Sequence, residues 1–193
     1  MISPVELTTE RLRLRQWRPE DRSPFAAMNA DSRVMEFFPA PLSREKSDAL
    51  ARRCEALISE RGWGAWAVER RDTGQFIGMT GLHAPTAPLP FSPCIEVLWR
   101  LAFDHWGRGY ATEAARAAVE FGLTVGGLDE IVAFTTISNV RSINVMRKLG
   151  MAEAEHFDHP GVPTGSELRP HVLYRLAAGS RHPSTHASRQ DRS

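Results

Sequence analysis

The sequence predicts an α/β (mixed α+β) protein built on one mostly antiparallel twisted sheet, with helices on both faces. Three observations carry that reading. Strand-like and helix-like segments follow one another in the order β-α-α-β-β-β-α-β-α-β-β. The early strands join through short hairpin connections, while the late β-α-β crossover makes one neighbouring pair parallel. The 193 residues contain no internal repeat and no composition break of the kind that separates domains, so one core is expected.

Leu12 to Trp17 (LRLRQW) alternates leucine and arginine, the period of a half-buried strand. Pro19, Glu20 and Asp21 open a helix running to about Ala30, with proline in the first turn and acids at the positive end. A second helix starts near Ser43, carries Ala49, Leu50, Cys54, Leu57 and Ile58 at helical spacing, and stops before Gly62. Gly64–Arg71 and Gln75–His83 read as hairpin strands around a turn at Asp72, Thr73 and Gly74. A proline-rich loop, Ala84 to Pro93, leads into a strand over Cys94–Phe103. Its alternation sets Ile95, Val97 and Trp99 on one face and Glu96, Leu98 and Arg100 on the other.

A helix rich in Ala and Glu follows Gly109 and extends to Gly122, and Asp129–Ile137 is a strand rich in β-branched residues. Asn139–Gly150 is a helix closed by glycine, with Arg147 and Lys148 in its last turn. Weaker strands are expected over Met151–Phe157 and His171–Leu176. The domain is therefore placed at residues 1–177, and the basic segment 178–193, which lacks large apolar residues, is expected to be a disordered tail.

Composition removes several classes. Lys plus Arg is 24 against 23 for Asp plus Glu, which gives no electrostatic footprint for nucleic acid or an anionic membrane. No apolar run is long enough to span a bilayer. The N-terminal MISPVELTTERLRLRQW lacks the apolar centre of a signal peptide, so a cytoplasmic location is expected. Cys54 and Cys94 are isolated and expected to be reduced and buried. His156 and His159 have no third clustered ligand, so no metal is expected, and no G-x-S-x-G elbow supports a serine hydrolase.

The segment DHWGRGYATEA places Gly107 and Gly109 around Arg108 at the mouth of a helix. The first turn of a helix leaves amides unpaired and carries a partial positive charge, and glycine lets a phosphate oxygen approach without a Cβ in the way. Gly107, Arg108, Gly109, Tyr110, Ala111 and Thr112 are thus candidate donors to a pyrophosphate, with Arg108 adding charge. A Walker loop would need Gly-Lys-Ser/Thr, which is absent. A dinucleotide fingerprint would need a third glycine where Ala111 and Thr112 stand, and an acid closing the next strand, whereas Asp129 and Glu130 precede theirs.

IEVLWRLAFDHWGRGYATEA, Ile95 to Ala114, resembles the central strand, loop and helix of the GNAT acyl-CoA transferases, in particular the ribosomal-protein-type (RimJ/RimL-like) N-acetyltransferases. TTERLRLRQW, FIGMTGLH and NVRSINVMRKLGM follow that branch in order and spacing, over residues 7–177. One departure is Trp106, which stands where the general loop pattern has Gln or Arg and is expected to pack. The resemblance implies the GNAT fold with a central βαβ core, acetyl-CoA as co-substrate, and a pyrophosphate on the amides of Gly107 to Thr112. It implies a pantetheine arm along the backbone of Trp99, Arg100 and Leu101, where the central strand splays from its neighbour.

Asn139 has two compatible readings: a helix N-cap, and by resemblance a ligand of the pantetheine or phosphate region. Ser142, one turn on, either bonds the coenzyme sulfur or is a small helix residue. Many members place a tyrosine acid one further turn along; here that position is Met146, which has no proton to give, so Ser142 or water is the candidate acid, or none is needed because a coenzyme thiolate is already a fair leaving group. The implied reaction is direct attack of a primary amine, of a protein N-terminus or a small molecule, on the thioester. Glu96 is the candidate base, its bland alternative being an exposed partner of Arg100, and a backbone N–H near Leu101 is a candidate oxyanion donor. Arg33–Leu42 and Ala84–Pro93 are expected to flank the acceptor side. The rival reading is a catalytically silent acyl-CoA-binding regulatory module. A homodimer is the assembly that symmetry favours.

Overall fold

The computed structural model describes residues 2–179. The tail expected from Ala178 lies outside the described residues from position 180 onward. Strand β1 (Leu7–Thr8), too short to leave a pattern, pairs antiparallel with β2 (Leu12–Arg15). A 3-10 turn at Pro19–Asp21 leads into α1 (Arg22–Ala30), and α2 spans Arg44–Arg61. Strands β3 (Ala65–Arg70), β4 (Phe76–His83) and β5 (Glu96–Leu101) follow, then a 3-10 turn at Phe103–His105 and α3 (Tyr110–Thr124). The chain continues with β6 (Glu130–Thr136), α4 (Val140–Lys148), β7 (Ala152–Asp158) and β8 (Pro170–Ala177).

The eight strands form one sheet in the order β1-β2-β3-β4-β5-β6-β8-β7. Every neighbouring pair is antiparallel except β5–β6, the two strands joined by the α3 crossover. Helices lie on both faces. Arg100 of β5 bonds Asn29 of α1, while the adjacent Trp99 bonds Ser142 of α4, as the two-residue period of a strand requires.

Local signals explain the boundaries. The Ser43 hydroxyl accepts from the Lys46 amide at 3.3 Å to cap α2, and Gly62 closes that helix at φ 83°. Ala114, Ala115 and Ala118 are fully buried, giving α3 a small-residue face that seats close to the sheet. In β4, Gly78 and Gly81 sit at φ 150° and 154°, and a Cβ would lie 2.2 Å from the Arg100 carbonyl oxygen of β5 on the first and 2.0 Å from the Gly64 carbonyl oxygen, just ahead of β3, on the second. Only glycine fits there.

One residue departs from the period-two expectation. Alternation in LRLR puts Arg15 on the polar face, yet it is 2 % exposed. Its guanidinium donates two bonds to Asp21, at 2.7 and 2.8 Å, and one to Glu69 at 2.7 Å. The cation is buried because two carboxylates are buried with it, joining β2, β3 and the turn that enters α1.

Candidate active site

Strands β5 and β6 share one register pair, Glu96 opposite Val132, where the Val132 amide donates to the Ile95 carbonyl at 2.9 Å. Beyond it they diverge. Because alternate residues of a strand turn their peptide groups to opposite sides, Val97, Trp99 and Leu101 direct theirs to the open side, as Ile95 does. The Arg100 backbone faces β4 instead, in register with Met79. Of the three residues expected to offer main chain to a ligand, Trp99 and Leu101 therefore have the right orientation and Arg100 does not. The Trp106 indole donates to the Leu101 carbonyl at 2.8 Å and closes the end of the open edge. It packs on Phe103, as the departure at this position suggested.

The helix mouth continues from that edge. Gly107 and Gly109 adopt φ 72° and 81°, and nothing lies within 4 Å of a Cβ built on Gly107. The helix ladder of α3 starts with the Glu113 amide donating to the Gly109 carbonyl at 3.0 Å, so the amides of Tyr110, Ala111 and Thr112 stand ahead of it. Sequence reasoning missed what holds this mouth in place. Thr9 Oγ1, the Arg11 amide and Arg11 Nε all donate to the Glu113 carboxylate, at 2.6, 2.9 and 2.7 Å. Arg11 Nη1 then reaches the Arg108 carbonyl at 3.0 Å. Burial opposes ionisation of Glu113, but these donors outweigh it and hold its carboxyl below the usual range. The Arg108 side chain is exposed and lies outside the cleft lining.

On α4, Asn139 Oδ1 accepts from the Ser142 amide at 3.2 Å, an N-cap, while Nδ2 donates to Thr135 Oγ1 at 3.0 Å. The Ser142 hydroxyl accepts from the Trp99 indole at 3.3 Å. Met146 is fully buried one turn further on, and its thioether borders the same cleft.

Glu96 lies directly across the β4–β5 ladder from His83, whose Nε2 donates to its Oε2 at 2.8 Å. The alternative pairing with Arg100 is overturned: Arg100 stands four residues along the strand and turns to Asn29 Oδ1 at 2.7 Å. Glu96 is 13 % exposed at its side chain. Burial lifts its carboxyl above its ordinary range, against the bond from His83. His83 left no sequence signal, because its partner comes from strand register.

These groups line one cleft of about 740 Å³ containing Glu96, Trp99 to Leu101, the Gly107 and Gly109–Thr112 mouth, Asn139 and Ser142. Val34, Phe37, Phe38 and Pro39 line it as expected, but no residue of the Ala84–Pro93 loop does. Phe91 of that loop instead packs behind the lining residue Phe134, with ring centroids 5.8 Å apart. His159 and His171, also in the lining, stack at 4.9 Å, and burial pushes both imidazoles below their usual range.

A splayed central strand pair beside an unladdered, glycine-fronted helix mouth is the geometry that the resemblance to the acyl-CoA transferases implies. The family described as "Acetyltransferase (GNAT) domain" matches residues 11–152, and the chain belongs to that family. A curated relative, the uncharacterized N-acetyltransferase YoaA of Bacillus subtilis, is 29 % identical over 146 residues, covering 75 % of this chain and 81 % of the relative. Two solved structures share the fold. The ribosomal-protein-S5-alanine acetyltransferase of Vibrio fischeri superposes with TM-score 0.73 at 17 % identity, covering 93 % of this chain and 100 % of that one. The spermidine N-acetyltransferase of Vibrio cholerae, in complex with CoA and spermine, gives 0.69 at 17 % identity, covering 88 % and 97 %.

Proposed function

We propose that the chain is an N-acetyltransferase moving an acetyl group from acetyl-CoA to a primary amine by direct attack in a ternary complex. The observation that carries this reading is the convergence of an unpaired strand edge, a bare helix mouth and a buried carboxylate in one cleft. The amides of Gly107 to Thr112 hold the pyrophosphate, and the main chain of Trp99 pairs with the pantetheine arm as an added strand, the Leu101 carbonyl being taken by Trp106. Asn139 and Ser142, fixed by the cap and by Trp99, border the sulfur end. When bound, the coenzyme supplies an activated thioester.

Only a neutral amine has the lone pair to attack. An α-amine, with pKa about 8, is ready far more often at neutral pH than a lysine amine at about 10.4. Glu96, oriented by His83, accepts the amine proton through water as the C–N bond forms and the C–S bond breaks. The Leu101 N–H stabilises the oxyanion. Met146 provides no acid, so the thiolate leaves as such or takes its proton from water.

Met146 favours a second reading, a catalytically silent acyl-CoA-binding module. Thiol release from acetyl-CoA across peptides, polyamines, aminoglycosides and amino acids separates the two, alongside a thermal-shift titration. Amine-dependent release supports the transferase. Stabilisation by acetyl-CoA with no release from any amine supports the module, and equal stabilisation by acetyl-CoA, NAD and ATP dismisses both.

A further inference from the structure

Arg100 stands in the cleft without a carboxylate partner among the described residues. Its Nη1 is held by Asn29 Oδ1 at 2.7 Å, and its guanidinium carbon lies 4.3 Å above the Phe38 ring. Its Nε is sealed from water and meets no acceptor. Asn29 is itself fixed, since it is fully buried and its Nδ2 donates to Ser47 Oγ at 2.8 Å. The guanidinium is thus pre-positioned. Nε is sealed and Nη1 is held, so Nη2 is the nitrogen left to donate to a ligand carboxylate in a charge-assisted hydrogen bond.

The contrast with Arg15 is informative. Arg15 is buried with two carboxylates of its own, whereas burial pushes the Arg100 guanidinium down to about 10 with no acid to offset it. It remains a cation at neutral pH. A cation held this way is completed by an anion from outside. The helix mouth opens α3, whereas Arg100 is tied to Asn29 of α1 and lies over Phe38, within the segment expected to flank the acceptor. The anion therefore comes with the acceptor.

We propose that Arg100 binds a carboxylate of the acceptor, so that the substrate is an amine that also carries a carboxylate: a free amino acid or amino-acid-like small molecule. This rests on the transferase reading above. Phe38, Leu50 and Met79 in the lining give the same wall an apolar surface suited to an uncharged side chain.

The test compares kcat/KM for two matched pairs, phenylalanine with phenethylamine and 6-aminohexanoate with hexylamine, in the wild type, Arg100→Lys and Arg100→Met. The carboxylated member is expected to be favoured at least tenfold in one pair. Arg100→Met should bring that ratio near one, and Arg100→Lys should retain part of it. Using the ratio within each variant cancels any general loss from imperfect folding. No carboxylate preference in either pair, or the same preference in Arg100→Met, overturns the proposal. Thermal stabilisation by the same pairs reads the preference without catalysis. Failure of acetyl-CoA to bind would then overturn the transferase reading, and the thermal ratios would still decide this one.

Discussion

Glu96 illustrates how one buried contact sets a reactivity. Its carboxyl, raised by burial, protonates at a higher pH than a solvated glutamate, so wild-type kcat/KM should rise with pH through that shifted value. Glu96→Gln should lower kcat/KM on the order of 100-fold above that pH and remove the limb that belongs to the carboxyl, leaving the separate rise from amine deprotonation at about 8 or above. Below it the two enzymes should converge, since the wild-type base is then protonated as well. A pH–rate profile of the same shape in both removes Glu96 from the chemistry. Glu96 was legible as a candidate because it is a carboxylate on the central strand. His83 was not, because only the β4–β5 register places it opposite.

At the scale of elements, the α3 mouth carries the second prediction. A Cβ on Gly109 meets nothing closer than Arg11 Nη2 at 3.4 Å, so Gly109→Asp has room. Its left-handed backbone makes the change cost about 1–2 kcal/mol, which a folded domain tolerates. The new carboxylate would pair with Arg11 and occupy the phosphate position, so acetyl-CoA affinity should fall more than about tenfold, or 1.4 kcal/mol. Calorimetric titration alongside circular dichroism checks both halves, and unchanged affinity refutes the placement. The elements themselves were largely readable from periodicity, caps and glycine stops. What escaped was β1, too short at two residues to leave a pattern, and two long-range features: the insertion of β8 between β6 and β7, and the Thr9–Arg11–Glu113 clamp, in which Glu113 lies more than a hundred positions from its two partners.

For the whole molecule, coenzyme binding and folding are linked. At a ligand concentration of about 100 Kd the native state gains about 2.7 kcal/mol, a rise of roughly 5–10 °C in Tm for a chain of this size. Differential scanning calorimetry should show that shift for acetyl-CoA and little for NAD or ATP. The Arg15 network acts at the same scale, since it fastens the first strands to the α1–α2 layer. Arg15→Met leaves Asp21 buried without its cation and Glu69 with Arg18 alone, at 3.2 Å, and urea titration should show a loss of about 3–5 kcal/mol, a large share of a typical domain's stability. A loss near zero would mean that these carboxylates are relieved by water. The lone register pair between β5 and β6 has a last consequence. The sheet is two panels stitched at a single register pair, and in the proposed complex a thioester arm would be the thread that closes the rest of the seam. Each turnover would then mend and reopen the protein's own β-structure, and letting go of the spent coenzyme would mean unpicking it.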